Sequence, residues 1–175
     1  MPRLLLALGL LSTAALAGCL TAHPPLAADA APTLQPDAFF NGATSGLGTL
    51  DVRGRGRQLV RVSSQGVTRP DGTFQLDQTI AIGDDAPYVR TWTMTRTGPD
   101  TFASSLSDAA GPVELKADEN MLHVRYRLGR FTTMHQRLVL QPDGRTVLNL
   151  ATVRALGVPV ARLTETIVRA PGAPR

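Results

Sequence analysis

Arg69-Pro70-Asp71-Gly72-Thr73, followed by Phe74-Gln75-Leu76-Asp77-Gln78-Thr79-Ile80-Ala81-Ile82, sets the architecture of this chain. Proline presets one backbone angle of a turn, aspartate bonds back to the backbone, and glycine accepts the left-handed conformation that closes it. The run that follows alternates apolar and polar side chains, as a strand with one face buried and one face wet does. An amphipathic helix would instead place its apolar residues at a period of about 3.6, and the run does not.

The same grammar extends in both directions. Upstream lie Leu59-Val60-Arg61-Val62-Ser63 and Gln65-Gly66-Val67. Downstream, the turn Gly83-Asp84-Asp85-Ala86-Pro87 leads into Tyr88 to Thr95, and Gly98-Pro99-Asp100 turns that run toward Thr101 to Leu106. Val113 to Lys116 is a short strand, and Asp118-Glu119-Asn120 turns into Met121 to Leu128, with Leu122, Val124, Tyr126 and Leu128 on one face. Thr132 to Gln141, a second proline-led turn at Pro142-Asp143-Gly144-Arg145, Thr146 to Val153 and Val160 to Val168 complete the series, although Leu148 to Leu156 alone reads as strand or helix. Consecutive hairpins favour an antiparallel meander, and closure removes the sticky edges of a long one. The expectation is an all-β fold: an antiparallel meander closing into a small calycin/lipocalin-like barrel of about eight to ten strands, filled by side chains or holding one small ligand.

The amino terminus carries a different signal. Met1-Pro2-Arg3 and the apolar run Leu4 to Leu11 precede Leu16-Ala17-Gly18-Cys19, which holds the one cysteine of the chain. The run is shorter than the roughly 20 residues that span a bilayer. It has the order of a secretory leader ending in a lipobox, in which the Cys19 thiol takes up a diacylglyceryl group before cleavage. An ordinary leader cut near Ala15-Leu16-Ala17 is the alternative. The expected organisation is a signal peptide over residues 1–18, acylated Cys19 with an Ala/Pro-rich tether over 19–38, a barrel domain over 39–169, and a disordered Pro/Gly tail over 170–175. Acyl chains hold a protein on a membrane without a spanning helix. Leu20 after the cysteine, rather than Asp, points to the periplasmic face of a Gram-negative outer membrane.

The chain has 18 Lys and Arg against 14 Asp and Glu, a net charge of +4, and nearly all the cations are arginine. Those arginines are spread along strands and aromatics are few, which argues against nucleic acid. A modest attraction to anionic headgroups fits better.

Phe39-Phe40-Asn41-Gly42 with Gly46-Leu47-Gly48 resembles the FFxGxxxGxG opening of an uncharacterised family of short Gram-negative lipoproteins, a domain of unknown function. Arg90-Thr91-Trp92, Ser107-Asp108-Ala109-Ala110-Gly111, Glu119-Asn120 through Tyr126-Arg127-Leu128, Leu148-Asn149 and Leu156-Gly157-Val158 are similar to later pieces of that family, in its order. Around Gln136 to Leu140 the family's Asp-Asp-Trp segment is missing, and Val124 stands in place of a second tryptophan, so the chain is a divergent relative. The resemblance implies a lipocalin-like barrel and hands over no catalytic residues.

Phe39 and Phe40, ahead of Gly42, read as a plug at the barrel base or as plain core. Gly46 and Gly48 lack the helix start and lysine of a phosphate loop and read as a bend or a close backbone approach. Arg90 and Trp92 share a strand face, inviting ligand stacking, and Tyr126 with Arg125 and Arg127 supplies further ligand-contact candidates, the arginines as carboxylate partners. His23, His123 and His135 lack the neighbours of a metal site. The acidic pairs Asp84-Asp85 and Asp118-Glu119 read as solvated turns, and Ser104, Ser105 and Ser107 lack a nucleophile elbow. No catalytic residue, metal or cofactor is expected. The leading expectation is a non-enzymatic, membrane-anchored periplasmic lipoprotein that binds or carries a small apolar ligand such as a lipid or fatty acid. The alternatives are a filled barrel that docks a protein partner of unknown kind, and an enzyme acting on lipid.

Overall fold

A computed structural model describes residues 32–171; the leader, Cys19, His23, most of the tether and residues 172–175 lie outside the described residues. After a single helical turn, α1 (Pro36–Phe39), come ten strands: β1 (Gly42–Val52), β2 (Gly56–Thr68), β3 (Phe74–Ile82), β4 (Tyr88–Arg96), β5 (Phe102–Leu106), β6 (Glu114–Asp118), β7 (Met121–Arg127), β8 (Thr132–Leu140), β9 (Thr146–Ala155) and β10 (Val158–Arg169). They form one antiparallel sheet in the order β5-β4-β3-β2-β1-β10-β9-β8-β7-β6. The first and last strands pair along almost their whole length, from Thr44 opposite Arg169 to Val52 opposite Ala161. That pairing curls the meander until its two edge strands meet. Closure there is thin: one bridge joins Thr101 to Lys116, and the Ala117 N–H donates to the Asp100 carbonyl at 3.3 Å. The result is a nearly closed all-β barrel, as the strand pattern predicts.

The two Pro-Asp-Gly turns work alike. Gly72 and Gly144 take left-handed φ of 83° and 65°. Asp71 accepts the Thr73 N–H, and Asp143 accepts the N–H groups of Arg145 and Thr146 and the Thr146 hydroxyl. These bonds favour the charged carboxylates and hold both pKa values below the ordinary one.

One end of the barrel is sealed. Leu34 donates its N–H to the Glu119 carbonyl and is fully buried, so the folded body begins ahead of Phe39. Phe39 and Phe40 are buried with their rings edge to face at 4.9 Å. Gly66 in β2 makes room for them, because a Cβ there would overlap the Phe40 carbonyl oxygen. Arg96 bonds Asp37 at 2.6 Å and Gln35 at 2.8 Å, fastening α1 to the wall. Above this floor, Phe74, Leu76, Trp92, Met94, Leu122, Val124 and Leu138 pack the lower barrel. The opposite end, the mouth, is ringed by the turns after β1, β3, β5, β7 and β9.

Candidate functional site

Alternation fixes which residues can meet inside. On β3, Phe74, Leu76, Gln78 and Ile80 point inward; on β4, Arg90, Trp92 and Met94 do. Gln78 is opposite Arg90, and Leu76 is opposite Trp92. On the far wall Tyr126 is opposite Met134, Val124 opposite Gln136, Leu138 opposite Asn149, and Asn149 opposite Glu165. Gln78, Arg90, Tyr126, Gln136, Asn149 and Glu165 therefore come from distant parts of the chain to one belt around the interior.

The belt is hydrogen-bonded. Arg90 donates from Nε at 3.1 Å and Nη2 at 2.8 Å to Gln78 Oε1, and from Nη1 to the Tyr126 hydroxyl at 3.4 Å. Its Nη1 also lies 3.8 Å from Asp108. Gln78 donates to Ser64 and Gln136 to the Tyr126 hydroxyl. Asn149 donates to Glu165 Oε2 at 2.9 Å, while the Asn149 Oδ1 is buried without a partner. Burial raises the Glu165 carboxyl, against the lowering pull of Asn149 and of Arg90. Burial also pushes the Tyr126 phenol up to about 12, so it stays a neutral donor and acceptor.

A cavity of about 170 Å³ passes through the belt and is lined by Gln78, Arg90, Gln136, Asn149 and Glu165. Its floor is Phe40, Leu76, Trp92 and Leu138; its upper walls include Ile80, Ile82, Val153 and Leu163. A polar layer sits between two apolar ones, with one arginine whose fork is already oriented. Chemically, such an arrangement can bond an anionic or strongly polar group at the arginine and pack an apolar group beside it.

Arg90, Trp92 and Tyr126 thus stand together inside. Trp92 donates its indole N–H to Ser104, which accounts for that serine, and Ser107 accepts the Thr91 N–H. Arg125 and Arg127 do not join them: they flank Tyr126 in β7, and alternation turns both to the outer face. Arg127 donates to the Ala110 carbonyl, and Arg125 lines a shallow outer groove of about 520 Å³ over β6 to β9 with Lys116, Arg137 and Arg154. His135 lies in this groove, and burial, with Arg125 and Arg154 nearby, pushes its pKa down. Among the described residues no group of His, Cys, Asp and Glu could hold a metal ion. Gly46 and Gly48 are close approaches, since a Cβ on Gly46 would overlap Glu165 Oε1 and one on Gly48 the Thr164 carbonyl.

Gln78, Gln136, Asn149 and Glu165 belong to no sequence motif that marks them as site residues. Each is a single polar residue at an inward position of a strand, and that is the signal that finds them.

Residues 13–169 match the family described as protein of unknown function, DUF3833. The chain belongs to the DUF3833 family. No curated protein matches it significantly. Among solved structures, this DUF3833 barrel is similar to the S-type phycobiliprotein lyase CPES from Guillardia theta, with a TM-score of 0.61 at 8% identity over 78% of this chain and 91% of that one. It is equally similar, with a TM-score of 0.61 at 16% identity, to a protein of unknown function of the DUF3598 family from Nostoc punctiforme, covering 79% of this chain and 50% of that one. At such identities the likeness is one of fold, and DUF3833 here is a barrel of that architecture. No helix among the described residues is long and apolar enough to cross a membrane.

Proposed function

We propose that this protein is a lipid-anchored barrel of the Gram-negative cell envelope that binds a small molecule with an anionic head and an apolar body, a fatty acid or another single-chain lipid. The observation that carries the reading is the cavity: apolar above and below, with Arg90 presented between by Gln78 and Tyr126. An anion bonded to Arg90 would leave its chain against Ile80, Ile82, Val153 and Leu163, pointing to the mouth. Size narrows the class. About 170 Å³ is close to the ~150 Å³ that accepts a benzene ring in an engineered core, and below the ~300–1,000 Å³ of drug-sized sites. The barrel therefore takes a head and the first part of a chain, and a long chain leaves through the mouth. Location is the second support. The Leu16-Ala17-Gly18-Cys19 lipobox, followed by Leu20, favours the periplasmic face of the outer membrane.

Displacement of a fluorescent fatty acid, read beside native mass spectrometry of the detergent-extracted protein, tests the ligand. Fatty acids should displace the probe, and Arg90→Gln should weaken them about 10- to 100-fold, the worth of a charge-assisted bond. No co-purifying molecule and no probe binding would end the ligand reading. The anchor is tested separately: Cys19→Ser should leave the membrane fraction after a high-salt wash, and a variant that sediments with membranes as the parent does would remove the anchor.

A further inference from the structure

Three neighbouring hairpin tips make one sector of the mouth: Arg53-Gly54-Arg55 after β1, Leu156-Gly157 after β9, and Gly129-Arg130-Phe131 after β7. The Leu156 N–H donates to the Phe131 carbonyl and the Arg53 N–H to the Val160 carbonyl, both at 2.9 Å, so the tips are tied together. Their apolar side chains face water: Leu156 is 77% exposed, Phe131 58% and Val158 49%. Leu156 also holds a left-handed φ of 49°, in a two-residue turn whose first position ordinarily takes Asn, Asp or Gly. The side chain of this strained leucine lies outside the core cluster and mostly in water, and such local violations concentrate where a protein meets something else.

The charge around them is predominantly positive. Arg53, Arg55, Arg57 and Arg130 are exposed, and among the described residues none is ion-paired. Arg130 lies over the Phe131 ring at 5.0 Å. Asp51 is the carboxylate nearest in register, opposite Arg57, while Asp84 and Asp85 sit on the next turn of the rim, after β3. The cationic ground continues through Arg154 into the outer groove.

We propose that this sector of the mouth docks on an anionic phospholipid bilayer, with Phe131 and Leu156 entering the interfacial layer and Arg53, Arg55 and Arg130 meeting headgroup phosphates. Apolar groups on separate hairpin tips, rather than on one flat face, suit a soft headgroup layer better than a folded protein partner. Arginines beside them can bury their stems while their heads stay with phosphate. The inference goes beyond the ligand and anchor proposed above and depends on neither.

The test uses the full chain with Cys19→Ser, which removes both the proposed acyl anchor and the one native thiol. It carries one introduced thiol, Phe131→Cys or Leu156→Cys at the mouth or Val67→Cys at the far end, each labelled with a polarity-sensitive bimane. Vesicles of phosphatidylcholine are compared with and without phosphatidylglycerol. With the anionic lipid, the two mouth labels should shift to the blue and be quenched by nitroxides on the acyl chains, and the Val67→Cys label should not. At low salt, the triple variant R53Q/R55Q/R130Q should dock about 100-fold more weakly, with its far-ultraviolet spectrum unchanged. Mouth labels that stay in water on anionic vesicles, quenching equal at the far end, or a triple variant that docks like the parent would each overturn the proposal.

Discussion

Glu165 is the residue on which the interior turns. It is 4% exposed, bonded by Asn149, and accommodated because β1 has no side chain at Gly46. Burial raises its pKa from 4.5. Between that value and the raised one, the folded state holds a proton that the unfolded state has released. The stabilising contribution is therefore complete below the unfolded pKa and is lost as pH rises through the folded pKa. Glu165→Gln keeps the amide contact and removes the titration. It should flatten that decline and raise thermal stability at neutral pH, and a variant whose stability falls with pH as steeply as the parent's would place the titration elsewhere. Gly46→Ala should destabilise by about 1–3 kcal/mol, the usual cost of overpacking, read by urea unfolding. Arg90, Trp92 and Tyr126 were legible because alternation assigns a face. Asn149 and Glu165 were not, because local sequence does not show which positions of distant strands stand level around a barrel.

Among the elements, the β9–β10 hairpin is the most instructive. Its strands follow from alternation once β8 and β10 flank Thr146 to Ala155, which resolves the ambiguity of Leu148 to Leu156. Its turn breaks the rule that both Pro-Asp-Gly turns obey. Leu156→Asn should stabilise the domain by about 1 kcal/mol, since asparagine tolerates the left-handed conformation. The melting temperature should then rise by roughly 2–4 °C. If it falls, the leucine has a contact within the fold. Helix α1 was not legible, because Pro36–Phe39 is too short to carry a period. In β1, two inward positions are the glycines Gly46 and Gly48, so the apolar half of its alternation is missing.

For the whole molecule, the meander and its curling into a barrel were readable from the turns, but the uneven strength of the closure was not. Closure rests on β1 meeting β10 across the length of the domain and on the slight seam between β5 and β6. Strength should follow that unevenness. Amides of Phe102–Leu106 and Glu114–Asp118 should exchange with deuterium well before those of β1 and β10. Uniform protection around the wall would mean that the seam is as firm as the rest. The sealed floor has a consequence of its own. With Leu34, Phe39 and Phe40 stopping one end, the barrel is a cup and not a conduit. Whatever goes in must back out by the same door, so the protein cannot hand a molecule from one side of itself to the other. Any delivery needs the whole cup to tip or travel, and two would-be occupants must take turns.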